Sequence, residues 1–125
     1  MANEQGYVPG RHRIEEYGAG GFRFAEMSHR GSILATPSGV RALSITQMAE
    51  IEAATLDLIL TDSSGAPDLL IVGSGAELLP LPRALRTKLR AAGVGCETMA
   101  TGAAVRTFNM LIDEGRRVAA LLIAV

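Results

Sequence analysis

The chain contains one cysteine, no tryptophan, and only two tyrosines and three phenylalanines among its 125 residues. A lone cysteine, Cys96, excludes an intramolecular disulfide and a cysteine-built zinc site. So few aromatics leave no stacking platform for single-stranded nucleic acid. With 12 basic and 13 acidic residues, the net charge of −1 supplies no general basic surplus either. The longest apolar run, Val118 to Val125, is far below the roughly 20 residues that span a bilayer. Met1 to Gly10 shows neither the basic start nor the apolar stretch of a signal peptide. These absences predict a cytoplasmic protein with no nucleic-acid partner and no integral membrane segment. No motif calls for a metal or a cofactor.

What remains is an ordinary globular composition, 48% apolar and 20% charged. A chain of this length forms one domain and can bury a core without staples. That core must come from Leu, Ile, Val, Ala and Met. Residues 1–13, with Gly6, Pro9 and Gly10 and no periodicity, read as a flexible N-terminal arm. Residues 14–125 read as a single α/β domain.

Alternation over Phe22–Met27 predicts a strand, Ser28–Gly31 a turn, and Ser32–Thr36 a second strand, so Phe22–Thr36 reads as a hairpin. A short strand follows at Val40–Leu43. Apolar positions Met48, Ile51, Leu58 and Ile59 then give a helix over about Thr46–Leu60, capped by Ser44 with Gln47, or by Thr46. The second half reads as strand (Asp68–Val72), helix (Leu81–Ala92), strand (Gly95–Met99), helix (Thr101 to about Glu114) and strand (Arg116–Val125). Such alternation implies crossovers and a mostly parallel sheet, with the apolar last strand at its centre.

Two places bear on chemistry. Gly73, Ser74 and Gly75 follow a strand, where backbone amides freed by glycine can cradle an anion. The pattern lacks a third glycine and any Gly-Lys-Ser, so it is neither a dinucleotide fingerprint nor a P-loop. Its plainer reading is a tight turn. The helix from Thr101 and Gly102 offers a positive dipole end. Arg106, Asn109 and Asp113 share one of its faces. Arg106 suits a carboxylate or phosphate, with Asn109 orienting it. The plainer reading is a surface polar network. The candidate ligand-binding set is therefore Gly73, Ser74, Gly75, Thr101, Gly102, Arg106 and Asn109. No catalytic set emerges: His12 and His29 have no partners at useful spacing, Glu97 reads as a strand carboxylate, and Cys96 as a small buried hydrophobe. Arg83 to Arg90 alternates with Ala and Leu and reads as a solvated helix face.

The run L-I-V-G-S-G from Leu70, the P-L-P at Pro80–Pro82, and E-T-M-A-T-G-A-A-V-R-T-F-N-M-L-I-D-E-G-R-R-V-A-A-L from Glu97 to Leu121 resemble the Mth-domain family of unknown function. Relatives of mitochondrial complex I assembly factor 3 and the adipogenesis-associated Mth-domain protein belong to it. The likeness covers about Ile14 to Leu122. Ser74 stands where the family usually has Thr, and Phe108 where it usually has Tyr. The resemblance implies a three-layer α/β fold: a central mixed, mostly parallel sheet of about five strands, helices on one side and a β-rich layer on the other. It implies no established enzymatic activity. It implies a protein-binding accessory or assembly role at a membrane complex, such as respiratory complex I or an export complex, with the chain peripheral to the membrane through its partner. A small anionic ligand site between the Gly73–Gly75 turn and the Thr101 helix, enzymatic or not, is the alternative. A homo-oligomer without ligand is the third reading.

Overall fold

Val118–Leu122 is buried at every position, which only a strand covered on both faces can achieve. A computed structural model, which describes residues 6–125, shows how it is covered. In chain order the strands are β1 (Tyr7–Pro9), β2 (Glu16–Gly18), β3 (Gly21–Phe24), β4 (Met27–Arg30), β5 (Ser32–Thr36) and β6 (Gly39–Leu43). A 3-10 turn (Met48–Glu50), α1 (Ala53–Leu60), β7 (Leu69–Gly73), α2 (Arg83–Ala91), β8 (Gly95–Met99), α3 (Thr101–Asp113) and β9 (Val118–Leu122) follow. Six strands form one sheet in the order β1-β6-β5-β9-β7-β8, and β2-β3-β4 form a second. β9 lies inside the larger sheet, as its composition requires. It pairs antiparallel with β5 and parallel with β7.

Strand alternation sends successive side chains to opposite faces and divides the core in two. Ile71, Ala120, Leu122, Ile33 and Ala35 meet Phe22 and Phe24 of the small sheet and Val105, Phe108 and Leu111 of α3. Leu70, Val72, Ala119, Leu121 and Leu34 meet Leu56 and Ile59 of α1 and Leu81, Leu85 and Leu89 around α2. The molecule is thus three-layered and mixed α/β. α3 joins the β-rich layer instead of lying with the other helices. Its faces decide this: Ala104, Phe108 and Leu111 pack inward beside Ile71.

Other boundaries move for physical reasons. The parallel part of the large sheet is limited to β7 with β8 and with β9; its other pairings are antiparallel. The crossover pattern of the second half sees only those three strands, and the N-terminal half adds β1, β5 and β6 beyond their edge. Ser28 and His29 are strand residues of β4, because the reversal sits at Ala25 and Glu26, both at positive φ. β5 therefore pairs with β6, not with β3. The helix foreseen over 46–60 breaks at Ile51, whose backbone is extended. Gln47 and Glu50 form the capping box there. The foreseen arm is partly structure. Tyr7–Pro9 is an edge strand on β6, Val8 is buried, and Arg11 donates to the Arg116 carbonyl. Residues 1–5 lie outside the described residues.

Phe108 is among the largest fully enclosed side chains and plugs α3 onto the sheet. Phe108→Ala should cost about 3–5 kcal/mol through lost burial and the cavity left behind. Urea unfolding of the two proteins measures it; a loss below about 1 kcal/mol would mean that the layer can collapse around the gap.

Candidate functional site

The turn after β7 and the start of α3 do come together. Gly75 adopts φ +111°, a region closed to most side chains. This turns its N–H toward Thr101, whose Oγ1 accepts it at 2.9 Å. The same hydroxyl donates to the Ile123 carbonyl at 2.7 Å. Thr101 N–H donates back to the Gly75 carbonyl at 2.9 Å, and Ile123 N–H to the Gly73 carbonyl at 2.9 Å. Ser74 N–H donates to the Met99 carbonyl at 2.8 Å. Its Oγ donates to Glu77 O at 2.6 Å and accepts Leu79 N–H at 3.0 Å. The amides of Ser74 and Gly75, foreseen as an anion cradle, are therefore spent on the protein itself. Thr101 is not the cap; Ala100 is. Thr101 is a fully buried cross-link between the turn, the helix and the last strand.

The helix entrance is also covered. A Cβ at Gly102 would lie 2.4 Å from Tyr17 Oη, so glycine there admits the phenol of β2. Arg106 and Asn109 lie further along α3, about 7.5 Å and 12 Å up the axis from Thr101 at 1.5 Å of rise per residue. The foreseen set thus splits into the turn–helix junction and a separate polar face. On that face Asn109 Oδ1 accepts Ile14 N–H at 2.8 Å while its Nδ2 donates to Ile14 O at 2.9 Å. The side-chain amide completes the backbone of residue 14 as a neighbouring strand would. Asp113 pairs with Arg13 on the same segment. Asn109 and Asp113 share a face because they bind the chain leading into β2. Arg106 is exposed and takes no part in the clamp.

Three features escaped sequence reasoning. The Asp62 carboxylate, buried after α1, accepts Thr36 Oγ1 at 2.5 Å, Ser38 Oγ, and Ser64 N–H at 3.2 Å. Burial pushes its carboxyl upward, but the hydroxyls of Ser38 and Thr36 and the Ser64 amide outweigh it, so Asp62 is held below the usual carboxylate range. Two of its three donors, Thr36 and Ser38, come from a segment 26 and 24 residues away, which no spacing rule would have joined to it. The second is an open trough of about 710 Å³ on the three-stranded layer. Register puts Glu16, Arg23 and Ser28 on its outer face, with Arg30 beside Gly18 and Gly21. The third is His29, which register turns inward with Phe22. Its Nε2 is buried without a hydrogen-bond partner. Burial pushes the Cys96 thiol up, which disfavours the thiolate a nucleophile needs. Among the described residues no group of three His, Cys, Asp or Glu side chains is placed to hold a metal. No described helix is long and apolar enough to cross a membrane.

This arrangement, a mixed sheet with a helix and a small β layer on one face, is shared with known proteins. Residues 14–123 match the model of a protein family of unknown function, DUF498/DUF598. The chain belongs to that family. It is 37% identical over 123 residues to an uncharacterised protein of Rhodobacter capsulatus, covering 98% of this chain and 93% of that one. A crystal structure of an outer membrane protein from Bartonella henselae is 46% identical, covers 93% of this chain and 97% of that one, and superposes with a TM-score of 0.85. A Mth938-like domain from Bordetella pertussis, solved by NMR, is 29% identical with a TM-score of 0.76, covering 90% of this chain and 85% of that one. The Mth-domain resemblance is thereby shown.

Substitutions at two positions test the geometry. Thr101→Val keeps the shape but leaves the Gly75 N–H and Ile123 carbonyl unpaired. It should lower stability by about 1–3 kcal/mol for each buried group stranded, while Thr101→Ser loses less; chemical unfolding of the three proteins reads this. For Asp62 the lowered folded-state pKa means that its contribution is complete above the unfolded value of 3.8 and is lost as pH falls through the folded value. Unfolding midpoints taken from neutral to acid pH should fall in that acid window. Asp62→Asn should be less stable at neutral pH and show a shallower acid decline.

Proposed function

We propose that the chain is a protein-binding accessory factor acting on the cytoplasmic side of a membrane complex. The respiratory NADH:quinone oxidoreductase is the class suggested by the family resemblance, and an export complex is the next. The observation that carries this reading is the trough on the three-stranded layer. It is open and broad, floored by Gly18 and Gly21, and bordered by Arg23 and Arg30. Arginine is among the residues that protein interfaces favour. Both outer strands of this layer, β2 and β4, pair on one side only, so their other backbone edges suit an added extended segment. The likeness to an outer membrane protein of Bartonella henselae supports a membrane setting and says nothing for the cytoplasmic side.

The small-ligand alternative draws little from the geometry. Ser74 and Gly75 spend their amides internally, Asn109 grips Ile14, and Tyr17 lies over Gly102. Arg106 is what remains of its binding set.

Tagged full-length protein incubated with detergent-solubilised membranes of its own organism tests the proposal, using wild type, Arg30→Glu and Arg106→Ala. Subunits of a respiratory or export complex should be recovered with wild type and with Arg106→Ala, and lost with Arg30→Glu. Loss with Arg106→Ala alone would move the contact to α3. No subunit recovered with any of the three would sink the accessory role and send the search to small anions at Arg106.

A further inference from the structure

α2 is short and strongly two-sided. Leu85 and Leu89, with Leu81 just before the helix, enter the core. Arg83, Arg86 and Arg90 follow at i, i+3 and i+7, which places them together on one exposed flank of the helix. With Thr87 they line a shallow hollow of about 390 Å³. Lys88 is engaged by Asp57 at 3.0 Å, and Arg86 Nε donates to the Leu81 carbonyl at 3.1 Å; among the described residues none of the three arginines meets a carboxylate. From residue 76 to residue 92 the chain holds four basic residues and a single acid, Glu77. Like charges at these spacings repel one another. The sequence reading of this stretch as a solvated face leaves that repulsion without a purpose.

The loop entering α2 adds an independent observation. Leu78 is 63% exposed and Leu79 46%, and Leu78 is the most exposed large apolar side chain among the described residues. Arg83 lies four positions after Leu79, so their Cα atoms lie within about 14 Å. Arginines alone would suit any polyanion, and two leucines alone would suit an apolar partner. Apolar side chains beside a basic helical face are what the interface of an anionic bilayer accepts, with leucines entering the acyl boundary and arginines meeting headgroup phosphates.

We infer that the Leu78–Leu79 loop and the Arg83, Arg86 and Arg90 face of α2 form a docking surface for an anionic lipid bilayer. Charge complementarity selects this occupant, and the net charge of −1 for the whole chain means that the rest of the molecule does not share the attraction. The protein therefore settles on one side. The trough and α2 lie over opposite faces of the central sheet. A molecule seated on lipid through α2 keeps its three-stranded layer turned away from the bilayer.

Co-sedimentation of the purified full chain with phosphatidylcholine vesicles, with and without phosphatidylglycerol, tests this without any protein partner. Binding should appear only with phosphatidylglycerol and weaken as salt is raised. Each arginine charge removed should lower partitioning about fivefold, so Arg83→Gln with Arg90→Gln should lose on the order of twenty-five-fold. Leu78→Ser should also reduce binding while leaving its salt dependence in place. These are exposed positions, and circular dichroism checks that the variants fold. Failure to bind phosphatidylglycerol vesicles at low salt overturns the inference. Equal binding to a DNA duplex, untouched by Leu78→Ser, overturns it in favour of a general polyanion patch.

Discussion

The hydroxyl of Thr101 is the contact on which most of the C-terminal half depends. It accepts from Gly75 and donates to Ile123 inside a fully buried site. Water cannot substitute for either bond there, so the penalty for losing them is not shared with solvent. Through this one atom the end of β7, the first turn of α3 and the residue after β9 hold a common position. β9 has apolar neighbours on both faces and little directional information of its own. The hydroxyl and the paired backbone of Gly73 and Ile123 supply that direction. The small β layer is then located relative to α3, because Asn109 grips Ile14 and Tyr17 seats on Gly102.

The polar residues of α3 consequently answer to architecture. An Asn that both donates to and accepts from one backbone residue is fixed by that residue, with only one N–H and one lone pair of its amide left over. The same limit applies to the Gly73–Gly75 turn, whose amides point inward to carbonyl and hydroxyl oxygens. Features that resemble an anion site in one dimension are joints in three. The surfaces left over are the trough on the outer β layer and the arginine face of α2, and they lie on opposite sides of the central sheet. On the proposed readings, that separation would let the protein touch a bilayer and a partner at the same time.

Sequence reasoning reached the elements whose determinants are local. The strands at Ser32–Thr36, Leu69–Gly73 and Gly95–Met99, the helix from Thr101, and the central place of Val118–Leu122 follow from apolar runs bounded by glycine and proline. It failed where a distant contact overrode local preference. Tyr7–Pro9 shows no periodicity and becomes a strand only because β6 offers an edge. Ser28 and His29 look like turn residues, yet the positive φ of Ala25 and Glu26 moves the reversal upstream. Of the candidate site, the juxtaposition of Gly75 and Thr101 was legible, because a parallel crossover brings a strand end to the next helix start. What the juxtaposed atoms bind was not.

The sequence by itself determined the α/β class, the family, the apolar strand that must lie inside a sheet and the two-sided pattern of α2. These rest on periodicity and on motif residues adjacent in the chain. The tertiary structure decided which polar groups are consumed and which remain exposed. Thr36 meets Asp62 across 26 residues, Gly75 meets Thr101 across 26, and Ile14 meets Asn109 across 95. A hydrogen-bonding side chain reads the same in sequence whether its partner is solvent, ligand or protein. Only the folded chain, by burying the group beside a particular donor or acceptor, chooses among them.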